Sequence, residues 1–93
     1  MEKLLTIQQI LPVNEREYVD RLGQKNIFVS RGLIVTDGVD SIYAELIGDN
    51  ARRTDIAEGV TAMMQMVCTA RKWEDKNHNA RYSNEITINK IGL

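Results

Sequence analysis

One stretch of the chain sets cations beside aromatic rings at close spacing. Arg71-Lys72-Trp73 is followed by the polar run 74–80, and Arg81-Tyr82 comes directly after it. Unpaired bases expose π-faces that stack on aromatic rings for about 1–3 kcal/mol each. Cations beside the ring neutralise the phosphates that link those bases. Trp73 is the only tryptophan in the chain. On an extended strand Arg71 and Trp73 fall on one face, so charge and stacking can act together. Further candidates lie upstream. Tyr43, Phe28 and Tyr82 are rings that could stack bases, and Lys25 and Arg31 are cations that could meet phosphates. Each has a plainer reading. Trp73 could cover a hairpin or fill an oligomer interface, Tyr43 could pack across to a neighbouring strand, and the cations could be ordinary surface charge.

Composition bounds what surrounds this segment. The chain has 93 residues, 43% hydrophobic and 27% charged, with a net charge of −1. That describes one globular domain, residues 1–93, rather than a disordered chain. No apolar run approaches the ~18–20 residues a membrane span needs. The start lacks a signal peptide's long apolar stretch, so the cytoplasm is the expected location. One cysteine and one histidine can form neither an internal disulfide nor a zinc site, and no cofactor is expected. A Gly-rich phosphate loop, a nucleophile elbow and a zinc-protease helix are all absent, which speaks against an enzyme. The isoelectric point near 5.8 means that any nucleic-acid role needs its positive charges gathered on one face.

Periodicity supplies the elements that must position these groups. Residues 4–13 read as a first strand bent by Pro12, and 14–26 as a loop of roughly a dozen residues, a length often tied to function. Residues 27–36 form a second strand, with Gly32 marking a bulge. Asp37-Gly38 turns the chain into a third strand at 41–47. Residues 49–58 read as a short helix, with Asp49 or Asn50 as its cap and Gly59 as its terminator. The fourth strand is 60–73, with Ala62, Met64, Met66, Cys68 and Ala70 on its buried side. A polar tip leads to the fifth strand, 81–91. Three strands, a short helix and two strands is the order of an OB-fold, a five-stranded Greek-key barrel that commonly binds oligonucleotides or oligosaccharides. The fold expected is therefore all-β, with one short helix between strands 3 and 4.

The segment Arg71-Lys72-Trp73 with Arg81-Tyr82-Ser83-Asn84-Glu85-Ile86 resembles the bacterial single-stranded DNA-binding protein family. There the fourth strand typically ends in Thr-Arg-Lys-Trp and the fifth opens with Arg-Tyr-Thr-Thr-Glu. The likeness covers roughly the last thirty residues and thins to a pattern match upstream. It implies an OB-fold that binds single-stranded DNA with little sequence preference, RNA being left open, and a homo-oligomer, dimer or tetramer. Two of the family's stacking positions on the third strand fall at Ser41 and Ile47, with Tyr43 between them. The family's acidic C-terminal recruitment tail has no counterpart in this sequence. The competing expectation is an OB-fold assembly subunit that has lost nucleic-acid binding. It requires Arg71, Lys72 and Arg81 to be cancelled by Glu74, Asp75 and Glu85.

Overall fold

The computed structural model describes all 93 residues. Five strands, β1 (Glu2–Val19), β2 (Lys25–Thr36), β3 (Ser41–Ile47), β4 (Thr61–Glu74) and β5 (Ala80–Gly92), are interrupted after the third by a 3₁₀ turn, Gly48–Arg52. They close into a barrel of order β1-β2-β3-β5-β4. All the ladders are antiparallel except the closing contact of β3 with β5 at Glu45 and Thr87. No helix is long and apolar enough to cross a membrane.

Alternation builds the core. Leu33 and Val35 of β2, Ala44 and Leu46 of β3, Met64 and Met66 of β4 and Ile88 of β5 all point inward and are almost wholly buried. Ile91 joins them although its parity differs, because β5 carries an irregularity opposite Gln65 and Met66 that turns the strand over. Only 15 of the 93 residues are buried. The radius of gyration, 15.3 Å, exceeds the roughly 12 Å expected for a compact chain of this length. The difference lies in two hairpins that run beyond the barrel. One arm is the far half of β1 with the near half of β2, and the other is the β4–β5 ladder past Val67.

The arms account for two departures from the sequence reading. Residues 14–26, read as a loop, pair in register from Asn14 opposite Ser30 to Val19 opposite Lys25. Cys68 and Ala70 keep their inward parity, yet both are exposed, because β4 has already left the barrel there. Gly32 does mark a bulge, but the extra residue is on β1. The register slips between Ile10 and Val13 around Pro12, and the partners of those two residues, Leu33 and Arg31, flank Gly32. It slips again between Ile7 and Gln9, while on its other side Gly32 pairs regularly with Glu45.

The expected helix at 49–58 is also absent, and only the 3₁₀ turn forms. Asn50 spends its side chain on the carbonyl of Asn89 (3.1 Å) instead of capping. Arg53 leaves helical space (φ −59°, ψ 139°), and its guanidinium grips the Asp55 carboxylate in a bidentate pair (2.8 and 2.6 Å). With residue 53 extended, propagation past one turn stops.

Both arms end in the same turn. Asp20 Oδ1 accepts from the backbone N–H of Leu22 and Gln24 (both 2.9 Å). Asp75 Oδ1 accepts from Asn77 and Asn79 (2.9 and 3.0 Å). Their second oxygens take the Asn26 amide at 2.8 Å and Arg81 Nε at 2.9 Å. The left-handed position is Gly23 in one turn (φ 76°) and His78 in the other (φ 61°). These bonds, backbone donors foremost, hold both carboxylates below the usual range. Their contribution to tip stability is complete above the unfolded-state pKa near 3.8 and is lost as pH falls through the lower folded-state values. Acid titration followed by amide NMR is expected to show Leu22, Gln24, Asn77 and Asn79 shifting together below that pH, while Leu33 and Ala44 stay fixed. Tip amides that ignore the titration would contradict this.

β3 stops at Ile47, opposite Ser30, and meets β5 only at Thr87. The edges of β2 before Ser30 and of β5 before Thr87 therefore flank a gap with no strand in it.

Candidate nucleic-acid interface

The gap opens onto a cleft of about 380 Å³. Its floor is the outward face of β3, where Tyr43, Glu45 and Ile47 alternate with the buried Ala44 and Leu46. One wall comes from the first arm through Asn14, Arg16, Phe28 and Ser30. The other comes from the second arm through Arg71 and residues 84–87. Cross-strand register sets the first wall, because Arg16 pairs with Phe28 and Asn14 with Ser30. The Arg16 guanidinium lies 5.5 Å from the centre of the Phe28 ring, within cation–π range.

Tyr43 lies over Gly32. A Cβ on Gly32 would come within 2.7 Å of the Tyr43 ring and hydroxyl and 2.8 Å of Leu11. The glycine is needed here for space, not for an unusual backbone. Burial of the hydroxyl end, then the neighbouring Glu45 carboxylate, raises the Tyr43 pKa, although the residue as a whole stays 54% exposed. Gly32→Ala is expected to swing Tyr43 and Leu11 aside at a cost of about 1–3 kcal/mol and to reshape the cleft floor. Thermal denaturation together with the Tyr43 ring shifts checks it, and an unmoved ring would count against this packing.

Of the nine candidates from the sequence, three line the cleft: Phe28, Tyr43 and Arg71. Trp73 lies next along the same face of the second arm. It is 47% exposed, in a shallow depression shared with Arg71, Ser83 and Glu85. Arg71 and Glu85 border both hollows, so one path runs from Phe28 past Tyr43 and Arg71 to Trp73. Arg81 pairs with Trp73 across the ladder, with its guanidinium held by Asp75. The other four stand apart. Lys72 and Tyr82 face each other on the opposite side of the arm. Lys25 begins β2 at the far tip of the first arm. Arg31 has the inward parity of Val29 and Leu33, and its Nε donates to the Leu11 carbonyl (2.8 Å), so it does not reach the cleft.

Arg16 is the residue that sequence reasoning missed, because it fell within the stretch read as loop. Reading Asn14, Arg16 and Tyr18 as one side of a strand facing Phe28 would have found it. Two acids partner the cations. Glu85 meets Arg71 at 3.1 Å and Asp75 meets Arg81 at 2.9 Å, while Lys72 has no such partner. Glu15 forms an ion pair with Arg52 at 2.8 Å and ties the first arm to the 3₁₀ turn. His78 Nδ1 lies 3.7 Å from Glu74 at the exposed tip.

No protein-family model matches the chain, and no curated protein matches it. Among solved structures it is similar to Rim1, a mitochondrial single-stranded DNA-binding protein of S. cerevisiae. The TM-score is 0.56 at 9% identity, and the match covers 100% of this chain and 91% of the other. At 9% identity the match shows the fold and does not confirm the bacterial family that the sequence resembles. Strand order, barrel closure and this likeness agree: the chain is an all-β, five-stranded OB-fold.

Proposed function

We propose that the chain binds single-stranded DNA without catalysis, laying the strand through the cleft between its arms. The observation that carries this reading is the convergence of Phe28, Tyr43, Arg16 and Arg71 in one cleft that leads to the half-open ring of Trp73. Rings supply stacking surfaces and the guanidinium groups meet phosphates. The similarity to a mitochondrial single-stranded DNA-binding protein supports the same use of the barrel. Association into a dimer or tetramer would let subunits share one strand and raise the local concentration of sites. Exposed Leu4 and Met63, paired across β1 and β4, and Val67 farther along β4 offer an apolar face for a second copy.

The test is Trp73 emission during titration with a mixed-sequence single strand. Quenching is expected at low salt. A log–log salt slope of about −1.4 to −2.8 corresponds to two to four phosphate contacts. No quenching, or affinity indifferent to salt, would remove the proposal.

A second reading, an assembly subunit that no longer holds nucleic acid, is favoured by the Arg71–Glu85 and Arg81–Asp75 pairs. Both are surface pairs, each worth about 0–1 kcal/mol, so a phosphate can compete for the guanidinium. Glu85→Gln separates the readings. It frees Arg71 and should tighten strand binding under the first, whereas under the second no strand binds before or after the change.

A further inference from the structure

Glu45 is out of place in a cleft meant for phosphates. It sits half-buried on the cleft floor between Tyr43 and Ile47. Opposite it on β2 is Gly32, which has no side chain to cover it. Glu85, the other carboxylate in the cleft, is held by Arg71, whereas Glu45 takes part in none of the ion pairs of the molecule and has the uncharged Tyr43 hydroxyl beside it. An ionised carboxylate only accepts hydrogen bonds, and it repels phosphate oxygens. A strand lying in this cleft therefore keeps its phosphates toward Arg16 and Arg71 on the two walls. What it turns toward Glu45 is the edge of a base stacked against Tyr43.

We propose that Glu45 makes the cleft discriminate among bases, favouring those that present adjacent N–H donors, guanine first, over thymine. This rests on the reading of the cleft as a single-strand site and adds selectivity to it. Guanine offers N1–H and N2–H₂ side by side, matching both oxygens of a carboxylate. Cytosine offers the N4 amino group, for which glutamate is a known acceptor. Thymine presents one N–H flanked by two carbonyl oxygens, which the carboxylate repels. The cleft's Asn14, Ser30 and Asn84 both donate and accept, so none of them rejects thymine's carbonyl edges as Glu45 does. Selectivity against thymine is thereby concentrated on one side chain.

Fluorescence anisotropy with labelled twelve-nucleotide strands tests this in lithium buffer, which suppresses guanine quadruplexes. Oligo-dT, oligo-dC and alternating dT-dG are titrated against the wild-type chain and against Glu45→Gln. The wild-type chain is expected to bind the dT-dG strand at least about fivefold more tightly than oligo-dT, with oligo-dC between them. In Glu45→Gln, whose amide both accepts and donates, the spread should shrink to less than about twofold. Oligo-dT bound as tightly as the dT-dG strand by the wild-type chain, or a spread that survives in Glu45→Gln, overturns the selectivity while leaving strand binding standing. Failure of the wild-type chain to bind any of the three at low salt overturns the single-strand site itself, and the selectivity with it. Circular dichroism confirms that the variant keeps its barrel.

Discussion

Trp73→Ala is expected to weaken single-strand binding by about 1–3 kcal/mol, roughly 5- to 150-fold in affinity, the worth of one stacked base. The fold should not register the change, because the ring is 47% exposed and lies on an arm beyond the core. The control is Lys72→Ala, one residue away on the opposite side of the same ladder, which pairs with Tyr82. If the strand follows the face of Arg71 and Trp73, Lys72→Ala loses far less affinity than Trp73→Ala. Anisotropy titrations of both variants at one salt concentration decide it. Equal losses would place the strand on both sides of the arm, and no loss in Trp73→Ala would remove the indole from the mechanism.

Leu33→Ala should have the largest effect on stability. Leu33 is fully buried and pairs with Ala44 on one side and Ile10 on the other. Truncating such a leucine costs about 2–5 kcal/mol through lost transfer energy and the cavity left behind. A domain of this size has only about 5–15 kcal/mol in all. The midpoint of thermal unfolding should fall by about 10–30 °C, measurable by calorimetry. A drop of only a few degrees would mean that the barrel interior is not packed around this side chain. Cys68→Ser, on the exposed arm, serves as the contrast and should be nearly silent.

The barrel was legible in the sequence and the arms were not, for one physical reason. Inside the barrel one side of each strand meets the core, so apolar and polar residues alternate, as in Ile42, Ala44 and Leu46 against Tyr43 and Glu45. Residues 14–17, Asn-Glu-Arg-Glu, have water on both sides and lose the period-two signal although their backbone is paired. That cost the reading Arg16. Parity also predicts side, not depth. It placed Cys68 correctly with Met64 and Met66 but could not show that β4 leaves the barrel between them. Arg31 shows the reverse. Its parity with Val29 and Leu33 put it on the wrong side for the cleft, and only the Leu11 carbonyl shows where its charge is used. The Trp73 segment was found because its chemistry is local: ring and cations lie within three consecutive residues.

The short third strand has a consequence for solutions of this protein. Where β3 ends, the open edges of β2 and β5 leave main-chain N–H and C=O groups unpaired, a template on which any extended polypeptide could zip. Around the opening stand four charged side chains, Arg16, Glu45, Arg71 and Glu85, the kind of edge protection that opposes such pairing. Neutralising those four together should raise light scattering on standing, even with the interior untouched.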